Sequence, residues 1–185
     1  MLDLKLIDKN WTLFLDRDGV INIENPVGYI YTPREFVYYE GIPETMKILS
    51  EIFPLIIVAT NQRGVGKGLM SEGDLNEIHA KMLHDIEAAG GRIDRIYYCT
   101  SLRDDDPFRK PNPGMALQAK KDFPKIDFSK SIMVGNTLAD MEFGRNAGMF
   151  TVFIKTTYPS QVIPHPLVDL VFETLPDFTR ALKHC

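Results

Sequence analysis

Cysteine is scarce in this chain: among 185 residues only Cys99 and Cys185 carry a thiol. Cys185 is the last residue, so a structural disulfide is not expected, and a reducing cytoplasm fits. Long apolar runs are missing as well. The longest, Leu55-Ile56-Ile57-Val58-Ala59, is strand-sized and far short of a bilayer. The opening Met1-Leu2-Asp3-Leu4-Lys5 has neither the basic flank nor the apolar centre of a signal peptide, so no membrane partner is expected. There is no excess of basic charge: 21 Lys and Arg face 25 Asp and Glu, a net charge of −4, which argues against a nucleic-acid partner. Internal repeats and low-complexity linkers are absent, and no pattern points to an oligomeric state. What is present, 44% apolar and 25% charged residues, suffices for one domain over 1–185 with a full core.

The apolar run 11–15 predicts a first strand, and it stops abruptly at Asp16-Arg17-Asp18-Gly19. Residues 22–39 are irregular and rich in aromatic side chains, as in a lid or in a surface loop pinned by its rings. A helix is expected over 43–52 with Pro43 in its first turn. The β-branched run 55–59 suits a strand buried on both faces and ends at Thr60-Asn61-Gln62-Arg63. Residues 71–89 form the clearest helix. Ser71 and Asp74 cap it, Leu75, Ile78, Met82 and Ile86 keep helical spacing, and Gly90-Gly91 stops it. His79 and His84 on that helix are read as surface residues without a role. Further strands are expected at 96–99, 131–134 and 151–154, with a short edge strand at 168–172. Helices are expected from Asn112-Pro113 to about Lys121, at 138–146 and at 175–183. This alternation implies an α/β fold, a parallel sheet with helices on both faces, whose ligand sits beyond the carboxyl ends of the strands. Gly64-Val65-Gly66-Lys67-Gly68 lacks the spacing of a nucleotide-binding loop and reads as a flexible turn.

Polar residues follow three of these strands directly, at Asp16/Asp18, Thr60/Asn61 and Gly135/Asn136, and Lys110 precedes a helix at the same rim. Two carboxylates one residue apart at a strand end repel unless a cation sits between them. Four segments in order carry the chemistry: Asp16-Arg17-Asp18-Gly19-Val20, Thr60, Arg109-Lys110-Pro111-Asn112-Pro113-Gly114-Met115, and Val134-Gly135-Asn136-Thr137-Leu138-Ala139-Asp140.

Together these segments resemble the motifs of haloacid-dehalogenase-like (HAD) phosphatases. Asp16 to Asn22, Gly28-Tyr29, Thr60 to Gly66 and Arg109 to Met115 look like the branch of histidinol phosphatases and heptose-bisphosphate phosphatases. The resemblance implies a Rossmann-like three-layer sandwich around a central parallel sheet, essentially capless, with the 22–39 loop shaping the substrate site. It implies Asp16 as nucleophile, forming an aspartyl-phosphate, and Asp18 as general acid and then base. Thr60 would bind a phosphoryl oxygen, and Lys110 would neutralise phosphoryl charge and orient Asp16. Mg²⁺ would be held at Asp16, Asp18, Asn136 and Asp140. Tyr29, Asn61, Gln62, Arg63 and Arg109 would contact a small phosphorylated metabolite, with Arg109 on the second phosphate of a bisphosphate. Histidinol phosphate is the alternative substrate, and a phosphate-binding protein without turnover is the alternative function.

Two features depart from that family. Asn136 stands where the fourth motif normally has an aspartate, which weakens the expected metal affinity. Asp140 would compensate, or would simply close a capping box with Thr137. Many members of the branch also carry a Cys/His zinc loop before the Arg-Lys-Pro segment. Here Cys99 holds the first position and residues 100–108 contain no further Cys or His, so no zinc is expected.

Overall fold

The computed structural model describes residues 2–25 and 27–183; the expectations for Cys185, and Pro26 within the 22–39 loop, lie outside them. Six parallel strands form one sheet: β1 (Thr12–Leu15), β2 (Leu55–Asn61), β3 (Arg95–Cys99), β4 (Ser131–Gly135), β5 (Phe150–Ile154) and β6 (Leu170–Phe172). Among the described residues six α-helices accompany them: α1 (Ile42–Ile52), α2 (Arg63–Gly66), α3 (Glu72–Ala88), α4 (Gly114–Asp122), α5 (Leu138–Ala147) and α6 (Leu175–Lys183). The strand order is β3-β2-β1-β4-β5-β6. The chain therefore starts in the middle, fills one half of the sheet, then returns to β1 and fills the other. The reversal lies between β1 and β4, the switch point where open α/β sheets bind their ligands.

Alternation along each strand divides the core into two layers. Leu13, Leu15, Ile56, Val58, Ile132 and Val134 face α1, α3 and α6, packing with Met46, Leu49, Leu75, Met82 and Phe178. Phe14, Ile57, Ala59 and Met133 face α4 and α5, packing with Met115, Ala116, Ala119 and Phe143. Continuous apolar strands result, because both faces of a parallel sheet are covered. Capping boxes start α3 (Ser71 with Asp74) and α5 (Thr137 with Asp140), and Gly148, at φ +88°, ends α5. Among the described residues no helix is long and apolar enough to cross a membrane.

Two readings of the sequence are corrected here. The glycine-rich segment after β2 is not a loose turn: its first part is the single helical turn α2, in which Gly64 is buried against Tyr29 and Met70. His79 is not a surface residue either. It lies 6% exposed on the core face of α3.

Candidate active site

The same alternation sorts the polar residues at the strand ends. Asp16 continues Phe14 and leans towards the α4/α5 layer, from which Lys110 and Asp140 arrive. Arg17 follows the parity of Leu13 and Leu15 towards α3, as do Thr60 and Gln62 after Ile56 and Val58.

On the α4/α5 side, Lys110 Nζ is buried and lies 2.8 Å from Asp16 Oδ1, 2.6 Å from Asp140 Oδ1 and 2.8 Å from the carbonyl of Ala59. An ammonium has three N–H groups, so all three are committed. Burial works against the charge on Lys110, but Asp140 and Asp16 outweigh it and the pKa ends above its ordinary value. Asp16 is raised by burial; Lys110 pulls it back, and the nearby Asp140 and Asp18 carboxylates push it up again. Asn61 fixes the lysine from behind: its amide accepts from the Lys110 N–H at 3.0 Å and donates to the Lys110 carbonyl at 3.1 Å.

On the α3 side, the Arg17 guanidinium is fully buried and forks onto Asp18, with Nη2 3.0 Å from both carboxylate oxygens. Asn22 Nδ2 donates to Asp18 Oδ1 at 2.9 Å, and Gln62 Nε2 donates to Oδ2 at 2.9 Å. Burial alone would raise the Asp18 pKa. Arg17 and these hydrogen bonds overcome it and hold the carboxylate below its ordinary range. Gln62 Nε2 also donates to Thr60 Oγ1 at 2.9 Å.

Asp16, Asp18, Thr60, Lys110, Asn136 and Asp140 all border one cavity of about 390 Å³. Tyr29, Asn61, Gln62, Arg63 and Arg109 line it too, so every residue expected at the site borders the same cavity. Asn61 and Gln62, read as substrate contacts, line the cavity and also bond its walls, Asn61 to Lys110 and Gln62 to Asp18, Thr60 and Arg17. Arg63 and Arg109 stand at the mouth, both bonded to the exposed Asp104, at 3.4 and 3.1 Å. Tyr29 carries Lys67 Nζ 5.3 Å from its ring centroid. The 22–39 loop is pinned by its rings. Phe36 is buried and meets Tyr38 edge-on, and the Tyr38 hydroxyl donates to Asp85 on α3. Sequence reasoning passed over Glu24, Tyr158 and Thr157; the first two line the cavity.

The arrangement has counterparts in known proteins. A HAD-hydrolase-like family model matches residues 107–177. The D-glycero-α-D-manno-heptose-1,7-bisphosphate 7-phosphatase of Burkholderia mallei is 38% identical over 154 residues, covering 79% of this chain and 80% of that one. The chain belongs to this family of HAD phosphatases. The corresponding β-anomer phosphatase of Haemophilus influenzae is 31% identical over 182 residues, 94% of this chain and 97% of its own. A crystal structure of the D,D-heptose 1,7-bisphosphate phosphatase from B. bronchiseptica, complexed with magnesium and phosphate, superposes with a TM-score of 0.85 at 27% identity, covering 94% of this chain and 98% of that one.

The residues of this HAD phosphatase fit a divalent cation. Around the tip of β1, four carboxylates (Asp16, Asp18, Asp140 and Glu24) face two buried cations, Lys110 and Arg17; Arg63, Arg109 and their shared partner Asp104 at the mouth leave an excess of one acid. Asn136 Oδ1 is buried with no hydrogen-bond partner among the described residues. An orphaned amide oxygen beside surplus negative charge is the donor a hard cation takes. Asp140, expected among the metal ligands, has other partners in the structure. Its Oδ2 accepts from Thr137 N and Oγ1, at 3.0 and 2.7 Å, and its Oδ1 pairs with Lys110, so the carboxylate serves the helix cap and the lysine. Only glycine at 135 permits this, since a Cβ there would sit 2.2 Å from Asp140 Cβ.

The Asn136 amide nitrogen donates to Glu24 Oε2 at 3.2 Å and Thr157 Oγ1 at 2.9 Å. Asn136→Asp in this phosphatase is therefore expected to tighten Mg²⁺ binding by about tenfold, because an ionised oxygen replaces an amide. The metal-free variant should melt lower, with a like charge now against Glu24. Titration calorimetry and melting curves read the two effects; unchanged Mg²⁺ affinity would remove Asn136 from the metal site.

Proposed function

We propose that this chain removes one phosphate from a small sugar bisphosphate, a heptose 1,7-bisphosphate, by Mg²⁺-dependent hydrolysis through an aspartyl-phosphate on Asp16. The observation that carries the reading is Asp16 held by an ammonium that Asp140 locks in place, across a cavity from the braced carboxylate of Asp18. In the first step an Asp16 carboxylate oxygen attacks phosphorus in line. The bond from phosphorus to the sugar oxygen breaks, and Asp18 gives its proton to that oxygen. In the second step a water oxygen attacks phosphorus, Asp18 takes the water's proton, and the bond to Asp16 breaks. Arg17 keeps Asp18 ionised at rest, the state the second step needs; an incoming phosphate dianion favours the protonated state the first step needs. The Thr60 hydroxyl accepts from Gln62, so its own proton is available to a phosphoryl oxygen. When bound at Asp16, the Asp18 carbonyl and Asn136 Oδ1, Mg²⁺ supplies positive charge to the phosphoryl oxygens.

Arg63 and Arg109 at the mouth favour a substrate with a second anionic group, which would compete with Asp104 for their guanidinium forks. Arg109→Ala should raise KM for a heptose bisphosphate about tenfold, the loss of one charge-assisted contact. It should leave kcat/KM for a simple monophosphate within about twofold. A panel of phosphate esters with saturating Mg²⁺ tests the whole reading. Both heptose anomers belong in it, because the relatives include enzymes named for each. Faster turnover of histidinol phosphate would transfer the assignment to that substrate, and no phosphate release from any ester would make the protein a binder.

In this reading residues 1–185 act as one domain, with the 22–39 loop standing in for a cap. A reducing cytoplasm is the location this reading proposes, in keeping with the buried free thiol of Cys99. Zinc has no part. The 100–108 loop is held by Asn112 Nδ2 on the carbonyls of Asp104 and Asp106 and by the Arg109–Asp104 pair. One zinc per chain by elemental analysis would overturn this.

A further inference from the structure

We propose that His79, a residue on α3 outside the reacting cavity, is a positioning residue for Asp18 and acts through the buried side chain of Arg17. The inference deepens the phosphatase reading above and rests on it. Arg17 is 1% exposed, so its N–H groups need partners inside the protein. Nη2 bonds both Asp18 oxygens and lies 3.1 Å from Gln62 Oε1, and Nε lies 3.3 Å from Asp18 Oδ1. Nη1, on the far side of the guanidinium, lies 3.1 Å from His79 Nε2. The Phe36 ring covers the guanidinium from 5.8 Å, and Tyr98 packs against the imidazole at 5.7 Å between centroids. The planar group is thus fixed at both ends and on one face. Its fork can meet Asp18 in only one orientation.

Histidine suits this position for an electrostatic reason. A second carboxylate there would draw Arg17 away from Asp18 and share its charge. A neutral imidazole accepts one hydrogen bond and leaves the positive charge to Asp18. Burial and then the Arg17 charge lower the His79 pKa to about 3, which keeps the ring neutral with Nε2 as acceptor and the proton on Nδ1. Asp18 alternates between acid and base in the proposed cycle. The brace keeps its oxygens aimed at the leaving group while the proton comes and goes, which is a requirement of geometry as much as of charge.

The test separates this role from ordinary packing. An alkyl phosphate needs a proton on its leaving oxygen, whereas p-nitrophenyl phosphate releases a stable anion without one. The ratio of kcat/KM for a hexose phosphate to that for p-nitrophenyl phosphate therefore reports proton delivery in the first step. His79→Leu should lower this ratio at least about tenfold, and His79→Gln, which restores an acceptor, should recover most of it. An equal loss on both esters, or an unchanged ratio, overturns the inference while leaving the phosphatase reading intact. Wild-type protein inert towards both esters overturns the two together. If His79→Leu does not fold, ¹⁵N shifts of the wild-type imidazole decide: an Nδ1–H tautomer supports the brace, and an Nε2–H tautomer removes it.

Discussion

Asp16→Asn is expected to eliminate phosphate release, by about four orders of magnitude or more, the scale on which covalent enzymes lose rate with their nucleophile. An amide cannot displace the sugar oxygen, and no neighbouring carboxylate can replace it. Asp18 is clasped by Arg17, Asn22 and Gln62, and Asp140 by Lys110 and Thr137. Rapid-quench labelling should show an acid-stable, hydroxylamine-sensitive phosphoprotein in wild type and none in the variant; labelling that persists would move the nucleophile elsewhere. The same substitution should stabilise the metal-free protein at pH 8. The folded-state pKa of Asp16 lies above its unfolded value, raised by burial against the help of Lys110. Such a group costs nothing below its unfolded pKa, and stability falls as pH rises through the folded one. The melting-temperature advantage of Asp16→Asn in chelator should therefore grow from about pH 4 upward and be absent below it.

Asp140→Ala is expected to lose about 3 kcal/mol of stability or more, because it strands part of a buried ammonium and removes a helix cap together. The chain carries its own control. Asp74 closes a capping box of the same form on α3, but exposed to water and without a lysine. Asp74→Ala should cost about 1 kcal/mol, the ordinary worth of a cap. Asp140→Asn, which keeps an oxygen for Thr137 and loses the charge, should fall between the two. Urea midpoints at constant m-value rank the three. If Asp140→Ala costs no more than Asp74→Ala, the buried pair contributes nothing and Lys110 is held by Asp16 and Ala59 alone. Turnover should fall with Asp140→Ala as well, since Lys110 loses one of the three partners that hold it beside Asp16, the proposed nucleophile.

Much of this was legible in the chain because its signals are local. Apolar runs ending in polar residues marked β1, β2 and β4, and the Ser71/Asp74 spacing marked the start of α3. Strand order then brings the marked ends together. Long-range pairing was not legible. Arg17 reads as the spacer of an Asp-x-Asp pattern, and nothing nearby says that its guanidinium will be buried. For His79 a signal did exist. It lies four residues after Leu75 and three before Met82, on the buried stripe of α3, where a polar ring needs a partner. What the spacing could not supply was the identity of that partner, 62 residues earlier. Asp140 was ambiguous for a different reason: a capping box and an ion pair use different oxygens of one carboxylate, and only coordinates reveal that both are in use.

The order in which the sheet fills has a consequence for synthesis. As the polypeptide leaves the ribosome, the β3-β2-β1 half can close first, joining Arg17, His79 and Gln62 while the rest is still unmade. Lys110 emerges next, after its partners Asp16 and Ala59, and its third partner, Asp140, follows only with α5. Every residue of the Arg17 brace is thus synthesised before Lys110, and Asp140, which completes the lysine's three contacts, comes last.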